Sequence, residues 1–147
     1  MNYLRDISDF LGKEDKRYFS YGFKFFDYQY EDLCYEDKVL SGNVITNYYW
    51  ENKNNRHLHL GTTEYIAISS TICEQILLTE FHLTPGQISL SWISSFRIKI
   101  RSCINILDNN KIALSGRLVA TEKEEKTTNS YKSSIVVKVN NTIIRVE

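Results

Sequence analysis

The chain holds three histidines, and two of them, His57 and His59, stand just ahead of Glu64. Histidine titrates near neutral pH, and a carboxylate beside it completes a pair suited to dehydration, enolisation or hydrolysis. His59 and Glu64 form the preferred pair. Each also has a plain structural use: a loop histidine that hydrogen-bonds a helix start, and an acidic residue that favours a helix's first turn. In an extended segment His57 and His59 point to the same side, as a metal pair would. Zinc needs three or four ligands, and the sequence offers no further cluster, so no metal is expected. Glu74 follows on an apolar stretch and is either a second catalytic carboxylate or a residue reaching solvent. Cys34, Cys73 and Cys103 are widely spaced and odd in number, which argues against a disulfide framework. Cys73 reads as a small core residue rather than a nucleophile. Arg97, Lys99 and Arg101 form a basic row that suits a phosphate or an acidic carrier protein, or is simply the wet face of a strand. No glycine-rich phosphate loop or G-x-S-x-G elbow occurs.

The elements that must position these residues follow from periodicity. Residues 2–11 place Leu4, Ile7, Phe10 and Leu11 on one helical face, ended by Gly12. Residues 18–36 are aromatic and strand-like, with a parity switch at Phe25–Phe26 that suggests a bulge or a strand covered on both faces. Asp37-Lys38 is a turn, and residues 39–50 return as a second strand. Residues 51–56 are a polar loop. Residues 62–81 then form a helix about 30 Å long, with Thr62 as the expected N-cap. Apolar residues cover more than one stripe of it, the mark of a helix buried in a core. Ser69, Ser70 and Thr71 are small enough to let strands approach closely, and Pro85-Gly86 acts as a stop. Residues 96–106 alternate apolar with basic or polar. Residues 111–121, with Gly116 as a bulge candidate, 131–139 and 142–146 supply the remaining strands, with Asn140-Asn141 as a turn.

The chain has 147 residues, so one domain spanning residues 1–147 is expected, with a real core. Eighteen basic and eighteen acidic side chains cancel, giving no general attraction for nucleic acid or anionic membranes. No apolar run is long enough for a membrane helix. The amino-terminal residues lack a basic start followed by an apolar run, so the expected setting is the cytoplasm. One long apolar helix among antiparallel strands must be surrounded by them. The expected fold is therefore α+β and hot-dog-like: a long central helix wrapped by a curved antiparallel sheet, with a short N-terminal helix. Such a sheet has edges to protect, so a homodimer, or pairing with a second hot-dog, is expected.

Three stretches carry a family resemblance. Ile7-Ser8-Asp9-Phe10-Leu11-Gly12 with Lys16-Arg17-Tyr18-Phe19-Ser20-Tyr21-Gly22-Phe23 resembles the opening of the avirulence D (AvrD) proteins. Residues 56–65, Arg-His-Leu-His-Leu-Gly-Thr-Thr-Glu-Tyr, resemble that family's His-Leu-Ser/Gly-Ser/Thr-x-acid stretch, and Phe96-Arg97-Ile98-Lys99 its following strand. The resemblance covers most of the chain, and typical members are longer, so one half is matched. It implies a role in making small acyl-derived signal molecules of the syringolide type, built from a β-ketoacyl chain and a sugar. It places His59 and Glu64 on the family's histidine and acidic positions, with Gly61 and Thr62 linking them. The fold implies relatives that dehydrate, hydrolyse or condense acyl thioesters at the helix N-terminus, where free N–H groups polarise the carbonyl. On this reading His59, Glu64, His57 and Glu74 are the catalytic candidates. Gly61, Thr62, Thr63 and Arg97 would bind a substrate carried on coenzyme A or an acyl carrier protein, and no cofactor is needed. A non-catalytic binding or structural subunit, or a generic thioesterase or dehydratase, is the alternative.

Overall fold

The computed structural model describes residues 26–48, 60–88, 93–101, 104, 111–123 and 131–147. The expected helix over residues 2–11 lies outside them. β1 (Phe26–Glu36) and β2 (Val39–Tyr48) form a hairpin. Then come α1 (Thr62–Glu80), the four-residue helix α2 (Pro85–Ile88) and β3 (Phe96–Lys99). β4 (Lys111–Lys123), β5 (Tyr131–Val139) and β6 (Thr142–Val146) complete the order. The six strands make one antiparallel sheet in the order β1-β2-β4-β5-β6-β3, with α1 packed on one face. This architecture is α+β and compatible with a hot-dog-like fold.

Strand alternation decides which side chains meet the helix. Leu40 and Val44 of β2, Ile112, Leu114 and Leu118 of β4, and Ile135, Val137 and Val139 of β5 are buried on the inner face, with Ile144 and Val146 of β6. From α1, Tyr65, Ile68, Ile72, Cys73 and Ile76 close against them. Each fully buried isoleucine contributes about 2 kcal/mol of hydrophobic stabilisation. Three hydroxyls on the helix stay satisfied within it: Ser69, Ser70 and Thr71 donate to the carbonyls of Tyr65, Ile66 and Ala67 at 2.6, 2.8 and 3.2 Å.

A bulge corrects the parity of β1. Glu31 faces Asn43 and Cys34 faces Ser41, so β1 spends one residue more than β2 over that stretch. Asp32, within it, takes the left-handed conformation at φ 54°. Tyr35 thereby joins Tyr28 and Tyr30 against the core, although its number has the opposite parity. Gly42 is the residue this bulge requires, because a Cβ there would lie 2.8 Å from the Glu31 carbonyl oxygen. The bulge thus sits further along than the Phe25–Phe26 switch suggested.

Several expectations are corrected. The helix is not apolar all round: Thr62, Thr71, Glu74 and Gln75 are exposed. Ser69 is fully buried, and the close approach of strand to helix depends also on Gly116 of β4, where a Cβ would meet Ile72 Cγ2 at 2.5 Å and Ile76 Cδ1 at 2.7 Å. The β4 irregularity lies instead between Leu118 and Ala120. Pro85 does not stop α1. The helix ends with His82 at φ 51° and the Leu83 N–H on the Leu78 carbonyl at 3.1 Å, a Schellman closure. Pro85 opens α2, which suits a residue without an N–H, and Thr84 caps it by receiving the Gln87 N–H on Oγ1 while its own N–H reaches Gln87 Oε1 at 2.8 Å. β3 ends at Lys99, short of the expected 106.

Candidate active site

The amino-terminal turn of α1 begins one residue earlier than Thr62 implied. Gly61 is the N-cap, and its carbonyl accepts the Tyr65 N–H at 3.1 Å. Gly61 has no side chain to offer, so the capping is done from inside the helix. Glu64 Oε2 accepts the Gly61 N–H at 2.7 Å. The arrangement is half of a capping box, with the acidic residue at its third position. Just before it, Leu60 is buried and donates its N–H to the Ile104 carbonyl at 3.2 Å, tying the helix entrance to the segment after β3.

Glu64 is fully buried, which is unusual for a first-turn carboxylate. Burial pushes its pKa above the ordinary value, while the backbone N–H groups of Glu64 and Gly61 pull the other way. A carboxyl in that balance holds its proton to higher pH than a solvated one. Thr62 is exposed and Thr63 half-buried beside it.

His57 and His59 lie outside the described residues, so their distance to Glu64 does not enter the geometry. Glu74 is exposed, on the face of α1 turned away from the sheet. Arg97 is also exposed, on the face of β3 opposite its core residues Phe96 and Ile98. The structure therefore brings together Gly61, Thr62, Thr63 and Glu64 and leaves Glu74 and Arg97 elsewhere. Cys73 is buried, and burial pushes its thiol up to about 12, which fits the inert role expected of it. Among the described residues no group of three or more His, Cys, Asp or Glu side chains stands ready to hold a metal. No helix among them is long and apolar enough to cross a membrane.

The model of the family described as Pseudomonas avirulence D protein (AvrD) matches residues 2–147. The chain belongs to the AvrD family. No curated protein matches it. In this AvrD-family chain the motif linking histidine to acid thus ends in a buried, helix-capping carboxylate, a state not legible in the sequence.

A second polar cluster joins residues far apart in the chain. The Tyr35 hydroxyl donates to Glu80 Oε2 at 2.7 Å, and Lys38 Nζ stands 3.8 Å from Glu80 Oε1. Burial, the hydrogen bond to Glu80 and its charge together push the Tyr35 phenol up to about 12. Forty-five residues separate the partners, so only the bulge in β1 and the length of α1 bring them together.

Proposed function

We propose that this AvrD-family protein acts on acyl thioesters, of the β-ketoacyl class, in the biosynthesis of a small acyl-derived signal or secondary metabolite. The observation that carries the reading is the buried Glu64 at the N-terminus of α1, on the position where the family resemblance sets its acidic residue. In this scheme a thioester carbonyl lies at the Gly61–Thr63 turn, where the N–H groups of the first turn meet the oxygen. His59 removes the proton or activates water, His57 supports it, and Glu64 exchanges a proton with the reacting group. The acyl group arrives on coenzyme A or an acyl carrier protein, and the chemistry is dehydration, hydrolysis or condensation. A homodimer, or pairing with a second hot-dog, would cover the sheet edges β1 and β3.

The test is turnover of β-ketoacyl and 3-hydroxyacyl thioesters by the purified protein. His59→Ala is expected to lower kcat about 100-fold, the usual scale for a lost general base. Unchanged turnover in that variant would remove the assignment. One observation favours the alternative of a non-catalytic binding subunit. The Glu64 carboxylate already accepts the Gly61 N–H and so occupies the first amide of the proposed carbonyl site. That reading predicts saturable binding of acyl ligands with no turnover.

A further inference from the structure

The face of the sheet turned away from α1 carries an ordered group of basic side chains. Strand pairing lines up Arg97, Arg145, Val136, Arg117, Val39 and Glu36 in one row across all six strands. The neighbouring row is Lys99, Ile143, Lys138, Ser115, Ser41 and Cys34. Arg97, Lys99, Arg117, Lys138 and Arg145 are all exposed. None of the five joins an ion pair among the described residues. The only carboxylate on either row is Glu36, at the far β1 edge. The chain is neutral as a whole, so this is charge segregation rather than a basic composition. Arg97 stands directly opposite Arg145, and like charges so placed work against strand pairing. The nearest carboxylate in the adjoining row, Glu147, is engaged with Lys132 at 3.3 Å, and a local conflict of this kind is typical of a surface kept for recognition.

We infer that this face docks an acidic amphipathic helix of a partner protein. The five cations span four strands, about 14 Å, and the two rows lie about 7 Å apart. Carboxylates spaced three or four residues apart on a helix recur every 5–6 Å or so, close to the row separation. Val136 and Ile143, half-buried between the cations, offer apolar contact in the middle of the patch. The two rows contain no aromatic residue, so the base stacking that single-stranded nucleic acid needs is missing. A second copy is less well matched, because Glu31 and Asp32 on its acidic strand β1 are already paired with Lys111 at 3.2 and 3.3 Å. This surface lies on the opposite side of the sheet from Glu64, and its use does not depend on turnover there.

The probe is a dye-labelled helical peptide of glutamate and leucine, followed by fluorescence anisotropy with the full chain. Saturable binding that weakens with added salt is expected. The double variant Arg117→Glu/Arg145→Glu is expected to bind about tenfold more weakly or worse. The control Lys123→Glu, at the far end of β4, should bind as the parent does. Circular dichroism confirms that each variant is folded. No binding at low salt, or equal binding by the double variant, would overturn the inference. So would tighter binding of phosphatidylserine vesicles or single-stranded RNA through the same residues, or salt-dependent self-association abolished by the same pair.

Discussion

Glu64 places a carboxylate where water cannot reach it, and its titration therefore enters the stability of the fold. Its folded-state pKa is raised, chiefly by burial. Between the ordinary value near 4.5 and that raised value, the unfolded chain has released the proton and the folded chain still holds it. Stability must then fall as pH rises through this window, and the loss is complete above the folded-state pKa. Glu64→Gln keeps an acceptor for the Gly61 N–H without the charge. Urea titrations across the acidic range are expected to show the variant gaining on the parent as pH rises. Glu64→Ala loses the cap as well and is expected to cost about 1–2 kcal/mol more than Glu64→Gln. The thiols give a second check at this scale. Cys34 is exposed and Cys73 buried, so an aromatic disulfide reagent should modify Cys34 quickly and Cys73 only on unfolding.

At the scale of elements, the helix and the sheet meet where a side chain is missing. A methyl group at Gly116 would collide with Ile72 and Ile76, both fully buried with little room to move. Gly116→Ala is expected to cost about 1–3 kcal/mol. Shortening the obstacle with Ile76→Val should return part of it, so the double variant in a denaturation cycle should be less unstable than the sum of the single changes. Equal and additive losses would mean that the contact is not shared. The same elements show what the sequence discloses. The Asp37-Lys38 hairpin, the helix from Thr62 and the alternating strands over residues 111–121 and 131–146 were legible, because local chemistry and periodicity agree there. Gly116 as a point of helix contact was not, since a lone glycine in a strand looks the same whether it marks a bulge or a close approach. Pro85 misled because proline stops one helix and starts another equally well. The exposed face of α1 was hidden by Ile66, Ala67 and Leu78, apolar residues that stay only half-buried. Of the site, the helix entrance and its acidic residue were visible in the motif at residues 57–64. The burial of Glu64 and the Tyr35–Glu80 contact depend on tertiary packing and have no local signal.

For the molecule as a whole, charge and edges decide how it meets others. Arg97, Lys99, Arg117, Lys138 and Arg145 gather on the outer face toward β3, while Asp27, Glu31, Asp32 and Glu36 lie on β1 at the opposite edge. The edges themselves, β1 and the short β3, are unpaired among the described residues. Sedimentation equilibrium is expected to report a dimer. A monomer throughout the micromolar range would remove the edge-pairing proposal while leaving the site at Glu64 untouched. The β1–β2 connection has a consequence for engineering. Asp37 and Lys38 sit at φ 49° and 64°, a left-handed pair that most side chains resist. Replacing Lys38 with glycine relieves the backbone at the expense of its exposed pair with Glu80, which contributes little, and should give a net gain of about 0.5–1 kcal/mol, read as a rise in the melting midpoint of about 1–4 °C. Nature has left that thermal headroom unused at this corner, and an experimenter seeking a hardier variant would begin there.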